Sequence, residues 1–123
     1  MAGFELEAAS SEWLSLEVAR GLRKDKDALG LSDADILDAY SSIEDLFTST
    51  ALKQIKVSDV KDVAGKIIVE QNLYAADSIY LASAVISASD VILSEDEHLH
   101  KEKVRKYARN RGIEIMKLKD FRF

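Results

Sequence analysis

Residues 73–99 read LYAADSIYLASAVISASDVILSEDEHL, and the fold turns on how this stretch is read. Its first part, AADSIYLASAV, is rich in alanine and carries a single acid, Asp77. That composition predicts a mostly buried helix packed closely against its neighbours. The run DVIL (Asp90–Leu93) is too short for a helix and reads as a strand of the kind buried on both faces of a parallel sheet. An acidic cluster, Glu95, Asp96 and Glu97, follows directly. In open parallel sheets ligands bind beyond the carboxyl ends of the strands, so Asp96 stands where a site belongs.

Working outward, the same alternation continues. FELEA (Phe4–Ala8) alternates apolar and acidic residues as a strand does, and Ser10 and Ser11 are placed to cap a helix over Glu12–Lys24. Gly30 punctuates, and SDAD (Ser32–Asp35) has the form of a capping box. Ile36, Tyr40, Ile43 and Phe47 follow at helical spacing. LKQIKV (Leu52–Val57) reads as a strand, and Ser58 as the cap of a helix with Val60, Val63, Ala64, Ile67 and Gln71 on one side. Downstream lie a basic helix over about Lys101–Arg111, Gly112 where a helix end favours a left-handed residue, and a last strand, IEIMKL (Ile113–Leu118). Strands alternating with helices predict an α/β fold with a mainly parallel sheet, and 123 residues suit one domain over 1–123.

Composition narrows the chemistry. The chain has no cysteine, which excludes disulfides, thiolate metal sites and cysteine nucleophiles. His98 and His100 are two residues apart, not at the spacing of helical zinc pairs. Any metal site is therefore expected to use oxygen ligands, favouring Mg²⁺ or Mn²⁺. No apolar run approaches the ~20 residues of a membrane span, and the N-terminus does not read as a signal peptide, so a cytoplasmic protein is expected. The net charge of −5 is uneven: residues 1–100 hold 8 basic against 19 acidic residues, and residues 101–123 hold 9 against 3. An acidic body with a basic edge suits a protein that holds a cation and meets phosphates, although single lysines serve equally well on a solvated helix face.

Three acids stand out, each with two readings. Glu17 sits among apolar residues of the first helix and could pair with Arg20 or a lysine. Asp77 sits in a first helical turn, where the helix dipole alone favours an acid. Asp96 could cap the next helix. Brought together, they would repel or take up protons unless a cation lay among them, which is what a Mg²⁺ site requires. No glycine-rich phosphate loop supports a nucleotide-binding domain.

AADSIYLASA, DVILSED and GIEIMKL together resemble the C-terminal half of a PIN domain, and SSEWLSLEVARGLRK resembles that family's second acidic motif. The resemblance implies a three-layer α/β/α fold and a Mg²⁺- or Mn²⁺-dependent nuclease cleaving single-stranded RNA, either toxin-like and held by an antitoxin-type partner or acting in RNA processing. It places Glu17, Asp77 and Asp96 at the second, third and fourth acids of the metal site, Ser94 at the hydroxyl two before the last acid, and Glu95 at a variable position. It implies Lys101, Lys103, Arg105 and Arg109 as RNA contacts and a homodimer, for which the helix Asp33–Phe47, with Tyr40 and Phe47, could supply a surface. The family's first strand, which is central and carries the first acid, has no counterpart here, so a gap in the sheet is expected. A catalytically incomplete module that binds protein or RNA is the alternative.

Overall fold

A computed structural model describes residues 7–122. It is mixed α/β and mainly helical, with its strands in short parallel pairs. The chain divides into two compact units between Lys56 and Val57. The strand expected at Phe4–Ala8 falls largely outside the described residues.

In the first unit, strand β1 (Ala9–Ser11) runs parallel to β2 (Lys53–Ile55), with Ala9 opposite Lys53 and Ser11 opposite Ile55. Helices α1 (Leu14–Lys24), α2 (Lys26–Leu29) and α3 (Asp33–Thr48) connect them. Ser10 and Ser11 belong to the strand and are not helix caps. Trp13 is the residue before α1 and makes no side-chain cap; the buried Ser11 hydroxyl instead accepts the Trp13 N–H at 3.2 Å. The serine thus shapes the entry to the helix from one turn further out. α1 packs on α3, and buried Ser15 donates its hydroxyl hydrogen to Glu44 Oε1 at 2.6 Å across that contact.

Gly30 ends α2 with φ 66°, a left-handed conformation that costs a glycine little. α3 then opens on the capping box that SDAD predicts. The Asp35 N–H donates to Ser32 Oγ at 3.1 Å, and the Ser32 N–H donates to Asp35 Oδ2 at 2.8 Å. Two helix-end donors that would otherwise depend on water are satisfied reciprocally. Ile36 and Phe47 are buried, while Tyr40 and Ile43 are half-buried. Phe47 is therefore part of the core and unavailable to a dimer surface.

In the second unit, α4 (Val57–Gln71) packs on α5 (Ala75–Ile86). α4 begins at Val57, so Ser58 lies inside the helix and not at its cap. Val60, Ala64 and Ile67 face inward, as their spacing predicts, and meet a helix in which Ile79, Leu81, Ala82 and Ala84 are buried. Small alanine side chains let the two axes approach. Fully burying Ile67 and Leu81, each 0% exposed, contributes about 1.5–3 kcal/mol apiece. Without proline, the turns use left-handed residues: Asn72 (φ 53°) joins α4 to α5 and Gly112 (φ 75°) follows the last helix. Thr50 and Ala88 also adopt positive φ, which glycine would do at lower cost.

β3 (Val91–Leu93) runs parallel to β4 (Glu114–Met116), with Ile92 opposite Ile115. A short 3₁₀ helix (Glu97–His100) and α6 (Glu102–Arg109) lie between them, and a second 3₁₀ turn (Leu118–Asp120) follows. Val104, Tyr107 and Ala108 are buried beneath α6. β3 differs from expectation in burial. Val91 and Ile92 are half-buried and Leu93 is 45% exposed, because among the described residues its sheet has two strands and one edge carries no ladder.

The capping box gives a pH-dependent stability with a defined sign. The Asp35 carboxyl is held below the ordinary aspartate value by hydrogen bonds from the Ser32 N–H and then the Ser32 side chain. Its contribution is fully present above the unfolded-state value and is lost as pH falls through the lower, folded value. NMR titration should place the Asp35 midpoint below that of an unstructured aspartate. Ser32→Ala should move it upward and destabilise α3 by about 1 kcal/mol in chemical denaturation.

Candidate metal centre

The second unit brings together Asp77, Asp96 and His98, each offering a ligand atom within 4.8 Å of the others. Asp77 lies in the first turn of α5, where unpaired N–H groups and the helix dipole favour negative charge. It is only 9% exposed, and a carboxylate so placed needs partners. Asp96 lies three residues beyond β3 and begins the 3₁₀ helix. Its Oδ1 accepts the His98 N–H at 2.8 Å, and the His98 Nδ1–H donates to the same oxygen at 3.0 Å. The His98 Nδ1 atom also lies 3.9 Å from Asp77 Oδ2.

The Asp96 carboxyl sits below the ordinary aspartate value. Burial acts to raise it, but the His98 N–H, a hydrogen bond with Asp77 and the His98 ring together outweigh burial.

The loop supporting Asp96 is tied down on both sides. Ser94 Oγ accepts the Asp96 N–H at 3.1 Å, and the Ser94 carbonyl accepts the His100 Nε2–H at 2.7 Å. Glu95 turns its carboxylate to the Leu118 N–H at 3.0 Å, and Lys117 reaches Glu97 at 2.7 Å. Ser94 and Glu95 thus fix the loop and are not members of the Asp77–Asp96–His98 group.

Glu17 is an exposed residue of α1, in the first unit, whereas all three members of the group come from the second. Among the basic residues, Lys101 lies at the start of α6 and lines a cleft with His98. Lys103 is exposed. Arg105 lies 3.9 Å from Glu114, and Arg109 pairs with Glu102 at 2.6 Å.

His98 is the member that the sequence reading does not select. Its spacing from His100 does not suit a histidine pair on a helix. The useful spacing is Asp96-x-His98, in which a 3₁₀ turn folds the ring back over the acid that caps it. The donor set is therefore two carboxylate oxygens and one imidazole nitrogen. A cation bonded at about 2.1 Å to two atoms needs them no more than about 4.2 Å apart, and the His98 Nδ1 distances of 3.0 and 3.9 Å meet that limit. To ligate through Nδ1, His98 would carry its proton on Nε2. Tyr74 meets the His98 ring edge to face, with centroids 5.4 Å apart, and restricts its orientation.

No protein-family model, curated protein or solved structure matches this chain. No helix among the described residues is long and apolar enough to cross a membrane.

The cap and the candidate ligand roles of Asp96 separate by substitution. Asparagine keeps an oxygen for the His98 N–H, and alanine does not. Asp96→Asn should therefore melt within a degree or two of the wild type, whereas Asp96→Ala should lose about 0.5–2 kcal/mol in chemical denaturation.

Proposed function

We propose that this chain is a PIN-type endoribonuclease that uses a divalent cation, Mg²⁺ or Mn²⁺, to hydrolyse single-stranded RNA. The observation that carries the proposal is the convergence of Asp77 and Asp96, from a helix start and a strand end, with the His98 ring beside them. Two carboxylates in hydrogen-bond reach share a proton in the absence of other positive charge, and a divalent cation satisfies the same pair more fully. Asp77, Asp96 and His98 would hold it. A cation so held supplies Lewis-acid charge to a phosphodiester and lowers the pKa of bound water.

The exposed Lys101 and Lys103 are proposed as the basic residues most available to the RNA backbone. By the resemblance to PIN domains, the chain would act as a homodimer, either toxin-like and held by an antitoxin-type partner or in RNA processing.

A second reading has its own observation. Asp96 already accepts two hydrogen bonds from His98 and shares one with Asp77, so the group is satisfied as a structural clasp. On that reading the chain is a catalytically incomplete binding module.

Calorimetric titration with Mn²⁺ decides between them. The nuclease reading expects a single site whose affinity falls at least about tenfold in Asp96→Asn and in Asp77→Asn. Cleavage of single-stranded RNA should fall about a hundredfold or more in both variants. A wild type that takes up no Mn²⁺ at millimolar concentration would leave only the clasp.

A further inference from the structure

The group of acids lies beside a cleft of about 210 Å³, lined by Asn72, Leu73, Tyr74, His98 and Lys101. We infer that this cleft seats one unpaired nucleobase of single-stranded RNA, with Tyr74 as its stacking platform. The inference rests on the ribonuclease reading above and specifies how that site would recognise its substrate.

Tyr74 is the one exposed aromatic among the described residues, at 72% exposure. An aromatic ring left in water forgoes the burial that stabilises such side chains elsewhere in the chain. The backbone that carries the ring has a defined course, and the ring has one aromatic neighbour. Its backbone is the residue preceding α5, with extended φ and ψ, and two residues earlier Asn72 takes the left-handed turn that ends the α4–α5 connection. The edge-to-face contact with His98, at an interplanar angle of 85°, occupies at most one face of the tyrosine. A planar base can stack on the other.

The remaining lining residues suit the same ligand. Buried Leu73 is the apolar side chain of the lining. The exposed Asn72 amide carries both donors and an acceptor, as a base edge does. The Lys101 ammonium suits the adjoining phosphate.

His98 belongs both to the cleft and to the acid group. A base on Tyr74 would therefore bring its neighbouring phosphate toward Asp77 and Asp96. A duplex keeps its bases stacked and paired and could not fill the cleft, so the cleft would select single strands.

The test is fluorescence anisotropy of a labelled single-stranded RNA oligonucleotide in EDTA, where neither cleavage nor metal affinity contributes. Tyr74→Ala should weaken binding about tenfold, whereas Tyr74→Phe, which keeps the ring, should remain within about twofold of the wild type. In a series with one abasic residue stepped along the oligonucleotide, one position should weaken the wild type by the same factor and leave Tyr74→Ala unchanged. Equal affinity of wild type and Tyr74→Ala, or no abasic position coupled to Tyr74, would overturn the inference. A Tyr74→Ala variant that loses Mn²⁺ affinity without losing RNA affinity would also overturn it, since Tyr74 would then act only by holding His98. Failure of the ribonuclease reading has a separate signature, namely RNA binding that depends on Tyr74 with no metal-dependent cleavage.

Discussion

An aspartate only 9% exposed at the start of an alanine-rich helix is the constraint around which the second unit is organised. Burial of Asp77 is costly unless its charge or its proton is accounted for. The start of α5 supplies N–H dipoles, Asp96 supplies a hydrogen-bonding partner, and His98 supplies a ring nitrogen 3.9 Å away. Each comes from a different kind of element: a helix start, the loop after a strand and a 3₁₀ turn. Losing the register of any one would strand the others. The serine and glutamate around Asp96, which look like further acid-site members in a linear reading, act as fasteners for that loop.

A proton shared by two carboxyls and a divalent cation held by them are alternative solutions to the same electrostatic problem. The short Asp96–His98 contacts show that the pair can be satisfied within the protein. A cation ligated by Nδ1 would need the ring proton on Nε2 and would replace the hydrogen bond from His98 to Asp96. The imidazole changes the competition among metals, because nitrogen donors favour transition metals over Mg²⁺ more than carboxylates do.

Local rules carried the sequence reading where the interaction is local. The Ser32–Asp35 capping box, the inward face of α4 and the helix over AADSIYLASAV depend on residues within one or two turns of each other, and each could be read directly. Asp77 and Asp96 were legible as a pair because each sits at an element end. His98 was not, because a spacing rule for helices does not apply to a capping aspartate, whose side chain accepts the N–H of residue i+2 and brings that residue beside it. Ser10 and Ser11 misled for a related reason. Capping residues and short-strand residues are the same small polar types, and only pairing with β2, more than forty positions away, decides between them. The exposure of Leu93 was also out of reach, since burial of a strand depends on how many strands pair beside it.

That last point bears on how the second unit holds together. In a parallel pair, alternate residues bond to the partner and the others direct their N–H and C=O groups the opposite way. The ladder runs through Asp90 and Ser94, which bond to Glu114 and Met116 at 2.9 and 3.0 Å, so Val91 and Leu93 present their backbone groups to the other edge. Three residues per strand cannot sustain a sheet by hydrogen bonds worth about 1 kcal/mol each. The pair is held instead by what covers it: α5 against β3, and α6 against β4 and the 3₁₀ helix. Asp77 and Asp96 belong to that same contact, one on the helix and one just past the strand. The packing that keeps β3 in place is thus also what keeps the two carboxyls within a hydrogen bond of each other, and a change that loosened α5 on β3 would act on the acid pair before it acted on the fold.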